Sequence, residues 1–233
     1  MTLINNAFFT NLPRAHAESC GWDASSVGGI PAEGIVSGTL IGTAMGWRAV
    51  EAIAVGDQVL TFDSGLMPVT GVRRERSDAG ARNLPHHLWP LLVPAGTIGN
   101  RQALTLLPEQ HVMIEADLLE ELYGDPFALM PALALEGWRG VAALWPSEAL
   151  DPVTLSFAQG QLVYAAGGSL LLCPPTDLGA LTGAEATDAI RRLTLSQARR
   201  FVAALRRDDV EDAGLMTLGS GAYAALATAP NRP

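Results

Sequence analysis

The chain has 233 residues, 48% of them hydrophobic and 17% charged, a balance that excludes intrinsic disorder and suits one principal packed domain with small appendages. Its net charge is −9 and all 15 basic residues are arginine, so phosphate backbones are repelled overall and nucleic acid is not an expected partner. Two cysteines, Cys20 and Cys173, are too few for a disulfide framework and belong to no Cys/His cluster at metal-ligand spacing; they pair only if the fold brings them together.

Residues 1–33 scatter Asn, Pro, Gly and Ser without a sustained apolar period and read as an N-terminal arm, with Phe8 and Phe9 as side chains able to dock. No basic region followed by a long apolar stretch opens the chain, so a cleaved secretory signal is not expected. Cys20 lies in Ser19-Cys20-Gly21-Trp22, with no charged or His neighbour to lower its pKa, and reads as a structural or free thiol rather than a nucleophile.

From about residue 38 to 173, short runs rich in Val, Ile, Leu and Thr alternate with turn signals at Met45-Gly46, Asp63-Ser64-Gly65 and Ala166-Gly167-Gly168. Three hairpins are predicted: Thr39 to Ala44 with Arg48 to Ile53, Gln58 to Phe62 with Met67 to Val72, and Val153 to Phe157 with Gln161 to Ala165. Strands this short predict a mainly β domain over about residues 38–173, a pseudo-barrel or β-sandwich. The longest apolar run, Phe127 to Leu135, is about half of a membrane span and contains Pro131, so a soluble protein is expected.

After residue 175 the period becomes helical. Thr182-x-x-Glu185 and Thr194-x-x-Gln197 both fit the capping box, and each precedes apolar residues at helical spacing: Ala189, Ile190 and Leu193, then Ala198, Phe201, Val202 and Leu205. A helical hairpin is predicted over 176–210, with Arg206 and Arg207 favouring the C-terminal end of its second helix. Residues 211–233 form an Ala/Gly-rich tail.

Three stretches in order, Ser37 to Thr43, Gly46 to Glu51 and Val55 to Asp63, resemble the opening of the Hint (hedgehog/intein-type) domain as it occurs in many alphaproteobacterial proteins. Pro108 to Ile114 resembles the block around that family's histidine, here placed on His111, and Tyr123-Gly124 with Leu129 to Ala132 resembles its downstream segment. The resemblance spans roughly residues 34–175 and implies a Hint-like β fold. Active members begin with Cys or Ser, which attacks the preceding carbonyl and converts the amide to an ester or thioester, while the histidine block protonates the leaving nitrogen.

On that resemblance the nucleophile position falls on Gly34, which has no side chain, and the hydroxyl expected three residues before the histidine is replaced by Pro108. No Asn occurs between Asn100 and Asn231, and later histidines of bacterial relatives fall on positions such as Leu155 and Gln161. Gly34, Pro108 and His111 are therefore vestigial positions. No catalytic residue, cofactor or metal is expected, and the chain reads as a catalytically inactive structural, assembly or binding module. The alternative is a self-processing protein cleaving near Gly34, with Ser37 or another group as nucleophile.

The remaining candidates have plainer readings. His111 sits in an apolar run and reads as a hydrogen-bonded core residue. Adjacent His86 and His87 point to opposite faces if they lie on a strand, which disfavours a metal site. Trp47, Trp89, Trp138 and Trp145 read as core or interface anchors, although exposed tryptophans also leave room for polysaccharide or peptide binding. Asp57 shapes a turn, and Arg73, Arg74 and Arg76 form a solvated strand face. Expected partners are other proteins, met through the arm and the C-terminal helices. The expected setting is cytoplasmic synthesis with incorporation into a surface or phage-like particle assembly.

Overall fold

A computed structural model describes residues 32–75, 84–147, 149–176 and 190–209. The expectations for Phe8, Phe9, Cys20, Arg76, the capping box at Thr182 and the tail lie outside these residues.

The chain enters with β1 (Ile35–Val36) and turns into the first predicted hairpin, β2 (Leu40–Thr43) with β3 (Gly46–Ala49), in register from Leu40↔Ala49 to Thr43↔Gly46. The Thr43 hydroxyl donates to the Gly46 carbonyl and fastens the turn. The second strand stops at Ala49 rather than Ile53, because residues 50–52 coil into a 3₁₀ turn that buries Val50. The second hairpin, β4 (Gln58–Thr61) with β5 (Gly65–Pro68), closes on Thr61↔Gly65.

The expected single strand Met67 to Val72 is divided. After Pro68, which cannot donate to a ladder, the chain breaks and β6 (Gly71–Arg74) joins a different sheet, pairing with β12 (Pro152–Ser156). The third predicted hairpin is also corrected. Its strands form, but β12 pairs with β1 and β6, whereas β13 (Gln161–Ala165) pairs with β14 (Ser169–Cys173), β2 and β4. The Ala158-Gln159-Gly160 link thus carries the chain between sheets. The hairpin that does form here turns at Ala166-Gly167-Gly168.

Between these segments lie β7 (Leu91–Val93), β8 (Leu104–Leu106), β9 (His111–Glu115), the short helix α1 (Asp117–Tyr123), β10 (Phe127–Pro131) and β11 (Ala142–Ala143). One sheet has the order β11-β7-β8-β1-β12-β6; the other runs β15-β10-β9-β14-β13-β2-β4-β5 with β3 on β2, where β15 is Arg191–Arg192. The architecture is mainly β, built from short strands, as predicted.

The main core draws Ile41, Leu91, Val112, Leu155 and Phe157 from both sheets, each with essentially no exposure. Burying such a side chain stabilises by about 1.5–3 kcal/mol relative to leaving it exposed. Residues alternating with these across the nine-stranded sheet, among them Met113, Leu129, Leu162 and Leu170, make a second cluster where the rings of Phe62 and Phe127 meet edge to face at 5.7 Å.

The second predicted helix is present over residues 195–209 and is called α2. Its capping box is reciprocal: the Gln197 amide donates to Thr194 Oγ1 and the Thr194 amide donates to Gln197 Oε1. Ala198, Phe201 and Val202 fill the main core. The expected helical run ending at Leu193 is not helical where it is described. Arg191 and Arg192 instead extend the sheet edge in parallel with β10, and the Leu193 amide donates to the Leu129 carbonyl, satisfying groups that a sheet edge leaves open. Among the described residues no helix is long and apolar enough to cross a membrane.

Candidate functional site

Gly34 immediately precedes β1, the strand held between β8 and β12 in the interior of the six-stranded sheet. It is buried, with φ +123°, a backbone conformation that only glycine adopts without strain. A β-carbon added there lies 3.3 Å from Pro152 Cβ and 3.6 Å from Thr154 Oγ1.

The side chain that meets Gly34 is Gln110, not His111. The Gly34 amide donates to Gln110 Oε1 at 3.2 Å, while Gln110 Nε2 donates to the carbonyls of His111 (3.1 Å) and Leu172 (2.9 Å). Two carbonyl acceptors fix which end of the carboxamide faces the glycine. The neighbouring Glu109 amide donates to the Ala32 carbonyl at 2.8 Å, so residues 32–34 are strapped along the turn that leads into β9.

Around this strap is a cavity of ≈ 20 Å³ lined by Glu33, Gly34, Gln110, Thr154 and Cys173 among others, room for about one water molecule. Cys173 has a free thiol, and its burial, with the charge of Glu33 second, pushes it up to about 12. The Glu33 carboxyl is raised, first by desolvation and then by Glu109, with Arg73 opposing and Glu75 adding; the residue as a whole is exposed, so solvent screens that shift.

The other predicted positions scatter. His111 opens β9, where side chains alternate between faces. It shares a face with Met113 of the second cluster and does not line the cavity. Burial first and the Arg192 charge second hold its imidazole below the usual value, opposed by a hydrogen bond with the Glu109 backbone. Pro108 is buried and its carbonyl accepts from the Leu133 amide. The Ser37 hydroxyl donates to the Asp151 carbonyl at 2.6 Å, away from the cavity lining. Asp57 shapes its turn by accepting from the Ala54 amide and from Arg48, both at 3.0 Å.

His86 and His87 lie on a 3₁₀ turn rather than a strand, with His86 3.4 Å from Glu136 Oε1. No group of three metal-capable side chains occurs among the described residues. Trp138 is buried and Trp89 half-buried, whereas Trp47 and Trp145 are about half exposed. The Trp89 and Trp145 rings stand at 85° to each other, not as a flat stacking platform. Arg73 pairs with Glu75, and Arg74 donates to the carbonyls of Glu51 and Ile53.

Sequence reasoning missed Gln110 and the conformation of Gly34. The first had a signal: residues 110 and 111 face opposite ways once β9 is placed, and only one of them can meet Gly34.

Residues 34–170 match the family model described as Hint domain. No curated protein matches significantly. Similar solved structures include a GSH-linked, splice-inactive variant of the AceL NrdHF class 3 split intein (13% identity, 62% of this chain and 99% of that one, TM-score 0.41). Others are a bacterial intein-like domain from Clostridium thermocellum (14%, 60% and 97%, 0.43) and the gp41-1 intein (14%, 60% and 98%, 0.35).

Proposed function

The chain belongs to the Hint-domain family, and from that membership we propose that it is a catalytically silent member, used as a structural, assembly or binding module. The observation that carries this reading is the state of the Glu33–Gly34 peptide bond. An acyl shift there needs a nucleophile on the residue after the bond and an acid to protonate the departing nitrogen. Gly34 brings no side chain, and its amide is held by a carboxamide oxygen, which accepts a proton's hydrogen bond and has no proton to give.

Supporting this, Ser37 is engaged with the Asp151 carbonyl, and His111 does not line the cavity. The protein partners then engage surfaces outside the strap, through the arm and the C-terminal helical segment, in a surface or particle assembly.

One observation favours a second reading, self-processing at the same bond: the Cys173 thiol lines the cavity beside Gly34. In that case the sulfur attacks the Glu33 carbonyl, its proton passes to the Gly34 nitrogen as that amine leaves, and water hydrolyses the thioester to a carboxylate at Glu33 and the free thiol. Burial and the Glu33 charge push that thiol up to about 12, which keeps it protonated rather than nucleophilic at neutral pH and weighs for the silent reading. Intact mass decides: an undivided chain after long incubation with thiol supports silence, and a fragment beginning at Gly34 supports processing.

A further inference from the structure

The arginines are unevenly distributed. Six of the 15 fall within residues 191–207, and residues 189–207 contain no Asp or Glu. The chain's net charge is −9 with these six included and so −15 without them.

Four of the six, Arg199, Arg200, Arg206 and Arg207, are exposed on α2. At 100° per residue they fall on one face with Ser196 and Ala203 between them, opposite the stripe of Ala198, Phe201 and Val202 that fills the core. Each pair recurs after seven residues, about 10 Å along the axis. Elsewhere Arg48, Arg73 and Arg139 are paired with Asp57, Glu75 and Asp209, but none of these four forms an ion pair among the described residues.

The hydrogen bonds they make are to neutral groups: Arg200 with Ser196 Oγ at 3.4 Å, Arg207 with the Ala203 carbonyl at 3.3 Å, and Arg206 with the Glu136 carbonyl. The helix dipole accounts for arginines in the last turn but not for Arg199 and Arg200. The helix is held rigidly at its far end, where Asp209 accepts from Trp138 Nε1 (2.9 Å) and from Arg139 Nε (3.1 Å) and NH2 (2.6 Å).

We propose that the four-arginine face of α2 docks an acidic segment of a partner protein, one that presents carboxylates in two groups about 10 Å apart. This rests on the reading of the chain as a protein-binding module and names the chemistry of the partner. Guanidinium forks match carboxylates bidentately, and a face of one sign, without an ion pair among the described residues, steers the encounter. A bilayer is disfavoured because the apolar side of α2 is already in the core, leaving nothing to insert. A nucleic acid is disfavoured by the −15 on the rest of the chain.

The test uses the full chain and a fluorescent helical Glu/Ala peptide with carboxylates seven residues apart, read by anisotropy. Saturable binding is expected, weakened by raising salt from about 50 to about 200 mM. Arg199→Glu with Arg200→Glu is expected to weaken it at least about tenfold, while Arg73→Glu changes it less than about twofold. The milder Arg199→Gln with Arg200→Gln, at unchanged melting temperature, separates charge from folding and is expected to give an intermediate loss.

Absence of saturable binding, an equal loss with Arg73→Glu, or tighter binding to duplex DNA or phosphatidylserine vesicles overturns the proposal. So does self-association of the chain abolished by the same reversals. Intact mass of the same samples keeps the two readings apart: a cut chain that still binds the peptide defeats catalytic silence alone, and an uncut chain that does not bind defeats this proposal alone.

Discussion

Replacing Gly34 by cysteine supplies the missing thiol at the position where the family resemblance puts it, yet the structure predicts that cleavage does not return. At φ +123° any L side chain is strained, at a cost of about 1–3 kcal/mol. The added β-carbon would also sit 3.3 Å from Pro152 Cβ, tight enough that β12 must yield. The chain therefore either loses about 1–3 kcal/mol of stability in place or rotates the 33–34 peptide away from Gln110, giving up the bond from the Gly34 amide.

Even with the thiol placed, Gln110 has no proton for the departing nitrogen. Urea unfolding of Gly34→Cys and Gly34→Ala, with intact mass of each, measures both effects. Equal destabilisation in the two variants and an uncut Gly34→Cys chain are expected. A Gly34→Cys protein that is as stable as the parent and cuts itself refutes the reasoning.

Three further outcomes follow from the same geometry. Gln110→Ala removes three hydrogen bonds from a buried strap and leaves the Gly34 amide and the Leu172 carbonyl without their partner. A loss of about 2–4 kcal/mol in urea unfolding is expected, and one below about 0.5 kcal/mol would show that the strap is dispensable. For His111 the folded pKa lies below the unfolded value, so the unfolded state binds more protons between the two. Stability therefore falls as pH drops from about 6.5 toward the folded value, and His111→Gln should remove that part of the pH dependence; paired unfolding curves at about pH 7.5 and 5.5 read it. At Gly168 an added β-carbon collides with the Gly99 carbonyl oxygen, so Gly168→Ala should cost about 1–3 kcal/mol, visible as a lowered melting temperature.

What was legible in the sequence was local. The turns at Ala44-Met45, Asp63-Ser64 and Ala166 to Gly168 fall where Gly and polar residues punctuate apolar runs. The start of α2 is written in the reciprocal pair Thr194 and Gln197. What was not legible depended on distant partners. Nothing within Val153 to Ala165 states that β12 belongs with β1 and β6 while β13 belongs with β14, because the pairing of β12 is decided by segments far away in sequence and that of β13 by a neighbour. Arg191 and Arg192 continue a helical apolar pattern but join the open edge of β10, a tertiary override of local propensity.

At the site, the glycine and the proline were readable as absences of chemistry, whereas the group facing Gly34, Gln110, was not singled out. In a strand one residue is a change of face, and the histidine that drew notice points to the second cluster while the glutamine before it holds the strap.

The central claim, that a Hint-domain chain keeps its Glu33–Gly34 bond intact, is tested most directly by the intact mass of the full chain over a long incubation with hydroxylamine, beside Cys173→Ala as a control. The account predicts one undivided species in both samples. A fragment beginning at Gly34 that accumulates in the parent and not in Cys173→Ala would contradict it.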